Sequence, residues 1–68
     1  MMTKNITFGG LYHELRTNQG KTLNDVRQIL SYATVSNFET GKSEISLNNF
    51  EILLESLNLS LSDFFRNL

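Results

Sequence analysis

The chain has 68 residues, one histidine, no cysteine, no proline and a formal net charge of −1. That length allows one small domain, which leaves much of its surface in water even when folded. The lack of cysteine excludes a disulfide framework and a thiolate metal site, and the charge balance argues against an unspecific nucleic-acid sponge with clustered Lys and Arg.

The opening stretch, MMTKNITFGG, holds no long apolar run. Neither a signal peptide nor a membrane span is expected there, and a cytoplasmic protein is the default. Phe8, Leu11, Tyr12 and Leu15 then recur at helical spacing. Thr7 can cap this first helix by accepting from free N–H groups, and Gly20 can take the positive φ of its exit. His13 falls on the polar side and is read as a solvated side chain. By itself it builds neither a zinc site nor a Ser-His-Asp relay. Thr22 and Asp25 have the spacing of a capping box ahead of a second helix, whose apolar face is Leu23, Val26, Ile29 and Leu30.

Ser31 can cap a third helix, with Val35 and Phe38 as its strongest inward residues and Gly41 at the left-handed exit. Ser46 opens a fourth, with Leu47, Phe50, Leu53, Leu54 and Leu57 inside. Ser60 and Asp63 form a second capping box, followed by the stripe Leu61, Phe64, Phe65 and Leu68. No stretch alternates as a β-strand does. The expected fold is all-α, a compact bundle of five helices in one domain spanning 1–68. Its core is expected to hold Phe8, Leu11, Val26, Phe38, Phe50, Leu54 and Phe64.

The third helix is the unusual one. Tyr32, Ala33, Thr34, Ser36 and Asn37 give it a leading and outer surface of short or flat residues, most of which can donate or accept hydrogen bonds. Such a surface can approach another molecule without desolvating a full charge. A short helix, a tight link and a second helix with a polar exposed face describe a helix-turn-helix, whose second helix reads base edges in DNA.

The stretches LRTNQGKTLNDV and VSNFETGKSEISLNNFEILLESLNLSLSDFF carry this further. They resemble the N-terminal domain of the Rgg/MutR regulators, within the phage-repressor-like (XRE) helix-turn-helix class. The resemblance runs from about Phe8 to Phe65, and SNFETGKSEIS is its most specific part. It implies a five-helix, lambda-repressor-like DNA-binding domain, a homodimer on double-stranded DNA, and transcriptional control in the cytoplasm of a Gram-positive bacterium. In that subfamily a larger C-terminal domain usually follows and binds a peptide signal, and the sequence given holds no such domain. By position, the resemblance implies base contacts from Tyr32, Ala33, Ser36 and Asn37. Thr34, Thr40, Lys42 and Ser43 would lie nearer the phosphates. Arg16 and Glu39 match a structural ion pair that ties the first helix to the end of the third. Leu23 stands where many relatives have a phosphate-binding Gln. The stretch from Thr22 to Ser31 is a residue or two shorter than theirs.

Two other function classes stand beside this one. A helix-turn-helix shape can serve as a protein-interaction module that does not bind DNA tightly, a reading favoured by the acidic balance and by the lack of Arg on the third helix. An enzyme finds no support: the sequence has no paired acid and base, no phosphate-cradling glycine loop and no metal ligands. No cofactor is expected.

Overall fold

The computed structural model describes residues 7–26 and 28–67. Five helices follow one another: α1 Phe8–Asn18, α2 Leu23–Val26, α3 Tyr32–Glu39, α4 Leu47–Glu55 and α5 Leu61–Phe65. No strand occurs among the described residues.

Each helix starts where a short polar side chain can accept from its free N–H groups. Thr7 accepts from Gly10, Ser31 from Thr34, Ser46 from Asn49 and Ser60 from Asp63. Two of the starts are reciprocal. The Thr22 N–H donates to Asp25 at 2.7 Å while the Asp25 N–H donates to the Thr22 hydroxyl at 3.2 Å, and Ser60 and Asp63 repeat the arrangement at 3.0 and 3.1 Å. These backbone donors hold the Asp25 and Asp63 carboxyls below the usual carboxylate range.

The core lies between all five helices. Leu11, Tyr12, Val26, Val35, Phe38, Phe50, Leu53, Leu54, Leu57 and Phe64 are buried together. Aromatic rings organise it: Phe50 meets Phe64 edge to face at 4.9 Å, and Phe38 meets Phe50 the same way at 5.7 Å. Burial pushes the Tyr12 phenol upward in pKa, against a smaller opposing effect of the Ser56 hydroxyl. The phenol oxygen meets no hydrogen-bond partner of good geometry among the described residues. A buried polar atom without a partner stabilises nothing, so Tyr12→Phe is expected to be neutral or slightly stabilising. A loss of more than about 1 kcal/mol in a denaturant melt would reveal a partner for the hydroxyl.

Several expectations need correction. α2 is a single turn, Leu23–Val26, and residues 28 and 29 are already in a turn, although Ile29 and Leu30 still bond back to the Val26 carbonyl. Ile29 is thereby exposed rather than on a buried face. Phe8, placed in the core by its spacing, is half-exposed, and so is Phe65; Leu47 is mostly exposed. All three sit at helix ends, where the neighbouring elements do not close over them. Leu57 is buried but follows the end of α4. The expected role of Leu68 lies outside the described residues.

One contact sets the position of α3. Gly9 is buried against it, so closely that a Cβ there would stand 1.8 Å from the Phe38 carbonyl oxygen and 2.6 Å from its carbonyl carbon. Only a residue without a side chain lets the two backbones approach this far.

Candidate nucleic-acid interface

α3 has two faces that follow from about 100° of rotation per residue. Val35, Phe38 and Glu39 point inward and are buried. Ala33, Ser36, Asn37 and Thr40 share the opposite stripe, where Ala33, Asn37 and Thr40 are exposed and Ser36 is half-buried. Tyr32 is exposed on one flank and Thr34 is half-buried on the other. The Ser31 hydroxyl donates to the Thr34 hydroxyl at 2.7 Å, so the Thr34 side chain is partly engaged in the cap. Tyr32 borders a shallow cleft with Lys21, Leu23 and Asn24, between the start of α2 and the start of α3.

Behind the stripe the chain turns sharply. The N–H of Gly41 bonds to the Phe38 carbonyl at 3.2 Å, and the N–H of Lys42 bonds to the Asn37 carbonyl at 2.8 Å. This is a Schellman exit, and it requires the φ of +80° that Gly41 adopts. Ser43 also donates its N–H to the Asn37 carbonyl, at 3.2 Å, and the Thr40 hydroxyl donates back to Ser36 at 2.9 Å. Lys42 and Ser43 are therefore exposed at the C-terminal end of the stripe, held to the peptide of the residue at its centre.

The orientation of this face rests on a buried ion pair. Arg16 donates from Nε to Glu39 Oε2 and from Nη2 to Glu39 Oε1, each at 2.8 Å, and from Nη1 to the Lys21 carbonyl at 2.7 Å. The two side chains are only 6% and 4% exposed. One guanidinium thus joins α1, the turn before α2 and the last residue of α3. Burial alone would raise the Glu39 carboxyl, but the Arg16 and His13 hydrogen bonds outweigh it and hold the carboxyl below its usual range.

His13 is not the merely solvated side chain expected. Its Nδ1 lies 2.8 Å from Glu39 Oε1 and 3.2 Å from Arg16 Nη2. Guanidinium can only donate and carboxylate can only accept, so one ring nitrogen cannot satisfy both. The shorter contact calls for a proton on Nδ1, donated to Glu39. Neither His13 nor Gly9 could be found by local pattern, because what each meets lies about thirty residues away in sequence. Gln19 is a third such residue: its amide donates to the Leu57 carbonyl at 3.0 Å and ties the end of α1 to the turn after α4.

With Glu39 turned inward and paired, the exposed surface of α3 carries no charge. The helix-turn-helix family model matches residues 13–64, which includes α2, the turn and α3. The chain belongs to the XRE-type helix-turn-helix family. That is a family of DNA-binding regulators, and in its members the helix in the place of α3 is the one that reads DNA. No curated protein matches the chain. Among the described residues no group of side chains could hold a metal ion, and no helix of this helix-turn-helix protein is long and apolar enough to cross a membrane.

Proposed function

We propose that this helix-turn-helix protein is a sequence-specific transcriptional regulator, or the DNA-binding domain of one, formed by residues 1–68 as a single domain and working as a dimer in a bacterial cytoplasm. The observation that carries the reading is the uncharged, hydrogen-bonding stripe of α3, held rigidly by Arg16 and Glu39. Asn37 occupies its centre and is exposed. An Asn amide can pair with adenine through two hydrogen bonds, worth about 1–3 kcal/mol of discrimination. Ser36 and Ala33 extend the base-facing stripe, and Tyr32 lies at its leading edge. Thr34, Thr40, Lys42 and Ser43 surround it and are assigned to the phosphates. Lys42 is the one cation among these eight residues. The similarity to Rgg/MutR regulators belongs to this proposal too, with any peptide signal acting through a further C-terminal domain.

Base contacts specify and phosphate contacts position. Asn37→Ala is therefore expected to relax preference at one base pair, losing affinity for the matched duplex and little for a mismatched one. Lys42→Ala is expected to weaken both alike and to lower the salt slope by about 1. Fluorescence anisotropy on matched and mismatched duplexes over a salt series measures both, after a selection from random duplex DNA has supplied the site. Equal losses on both duplexes for Asn37→Ala would remove it as a reader. Binding that ignores salt and sequence would favour the protein-interaction module instead.

A further inference from the structure

The bases that α3 can read follow from the groups its outer surface lacks. Glu39 is the single charged residue of the helix. Its carboxylate is 4% exposed and accepts from Arg16 on both oxygens, so it is unavailable to a ligand. The stripe therefore offers no cation to donate to the O6 and N7 of guanine, and no carboxylate to accept from the N4 amino group of cytosine. What it offers is an amide at Asn37, a methyl group at Ala33 and, on its flank, the ring of Tyr32, which is 56% exposed. The Ser36 hydroxyl suits every base pair and adds no preference.

We infer that this face reads A·T pairs in the major groove, an adenine through Asn37 and the methyl groups of thymines on neighbouring pairs through Ala33 and Tyr32. The inference rests on the DNA-reading proposal and adds the class of base to it. The backbone carbonyl of Asn37 accepts from Lys42, Ser43 and the Thr40 hydroxyl, whereas its side-chain amide bonds to no other described residue. An amide with both ends free donates to the N7 of adenine and accepts from its N6 amino group at once. On guanine the same amide oxygen would face O6, a second acceptor, so the amide rejects that base.

Spacing separates the two kinds of contact. Ala33 lies four residues before Asn37, about 6 Å along the helix axis, against about 3.4 Å between successive bases of a strand. For a helix lying along the groove, the methyl and the amide therefore meet different base pairs. Tyr32 continues the apolar end of this surface toward Leu23, which lines the same cleft. Apolar side chains in the major groove recognise the C5-methyl of thymine, a group that the other three bases lack there.

Single-atom changes to the duplex test this, with the full chain and the site obtained by selection from random DNA, read by fluorescence anisotropy. Uracil in place of thymine removes only the methyl group and is expected to weaken binding about fourfold at each pair read. Tyr32→Ala and Ala33→Gly are each expected to abolish the response to uracil at one position. Tyr32 is exposed, so its replacement serves even if glycine at 33 weakens the helix. Replacing adenine by 7-deazaadenine removes the N7 acceptor and is expected to cost about tenfold, a loss that disappears in Asn37→Ala. Hypoxanthine·cytosine keeps the minor groove of an A·T pair but shows the major-groove edge of G·C, so it is expected to bind as poorly as G·C. Indifference to uracil or to 7-deazaadenine, hypoxanthine·cytosine bound like A·T, or a selected half-site of G·C pairs each overturns the inference and leaves the DNA reading standing. A guanine preference abolished by Lys42→Ala does the same, by assigning the reading to that cation. Binding with no sequence selectivity removes both.

Discussion

Gly9→Ala is expected to cost at least about 3 kcal/mol, the upper end of ordinary overpacking. In most helices the same change is mildly favourable, by roughly 0.5–1 kcal/mol. Here the new Cβ would stand 1.8 Å from the Phe38 carbonyl oxygen, which belongs to the backbone and cannot rotate away. Relief requires α1 and α3 to part by about 1.5 Å, which strips contacts from both helices. Gly10→Ala is the control, since its Cβ meets only the Thr7 hydroxyl, at 3.0 Å. That variant is expected to stay within about 1 kcal/mol of the parent. For a domain of this size each kcal/mol moves the melting temperature by about 4–8 °C, so the two variants separate clearly in a thermal melt. A Gly9→Ala protein that melts with the parent would mean the helices have room that the fold described above denies them.

Arg16→Ala is expected to be equally severe. It strands the Glu39 carboxylate in the interior, a loss of about 3–5 kcal/mol. A chain of this length has a total stability of roughly 3–10 kcal/mol, so the loss removes a large share of it and the variant is expected to melt far below the parent. Glu39→Ala should behave alike, and the double variant should lose less than the sum of the singles, because removing both charges leaves neither stranded. Melts of the three proteins decide it, and single variants that match the parent would show the pair to be without consequence. Acid provides an independent check. A carboxyl whose folded pKa is lowered contributes stability that is complete above the usual carboxylate range and disappears as the pH falls through it toward the folded value. Glu39, Asp25 and Asp63 all have this sign. The parent is expected to lose stability in that window, and Glu39→Gln to lose the Glu39 share of the pH dependence.

What could be read from the sequence was local. Thr7, Thr22, Ser31, Ser46 and Ser60 cap helices because a side-chain oxygen at a fixed offset meets a free N–H, and that geometry needs no knowledge of the rest of the chain. The five helices and the all-α class followed from those caps and from apolar spacing. Spacing did not tell how far α2 runs, because Ile29 and Leu30 keep the periodicity after the helix has ended. Nor could it tell a buried ring from a rim ring: Phe8 and Phe64 obey the same rule, yet only Phe64 is closed in by its neighbours. Composition of the α3 stripe pointed to the candidate interface. The pairing of Arg16 with Glu39, 23 residues apart, came from resemblance alone, and the third member of that cluster, His13, carried no signal because only the folded chain brings it to Glu39.

The uncharged stripe on α3 has a consequence for competition inside a genome. Any DNA-binding protein is divided between its own site and the roughly 10⁶–10⁹ other positions that the chromosome offers. The hold of those positions comes almost wholly from phosphate neutralisation. On the DNA-reading proposal, a chain with a net charge of −1, no charge on the α3 stripe and Lys42 as the one cation assigned to the phosphates has little of that hold to give. Such a reader gives up grip everywhere in order not to be sequestered anywhere. On that same proposal it would find an operator with a modest absolute affinity, provided that what affinity it has comes from the bases.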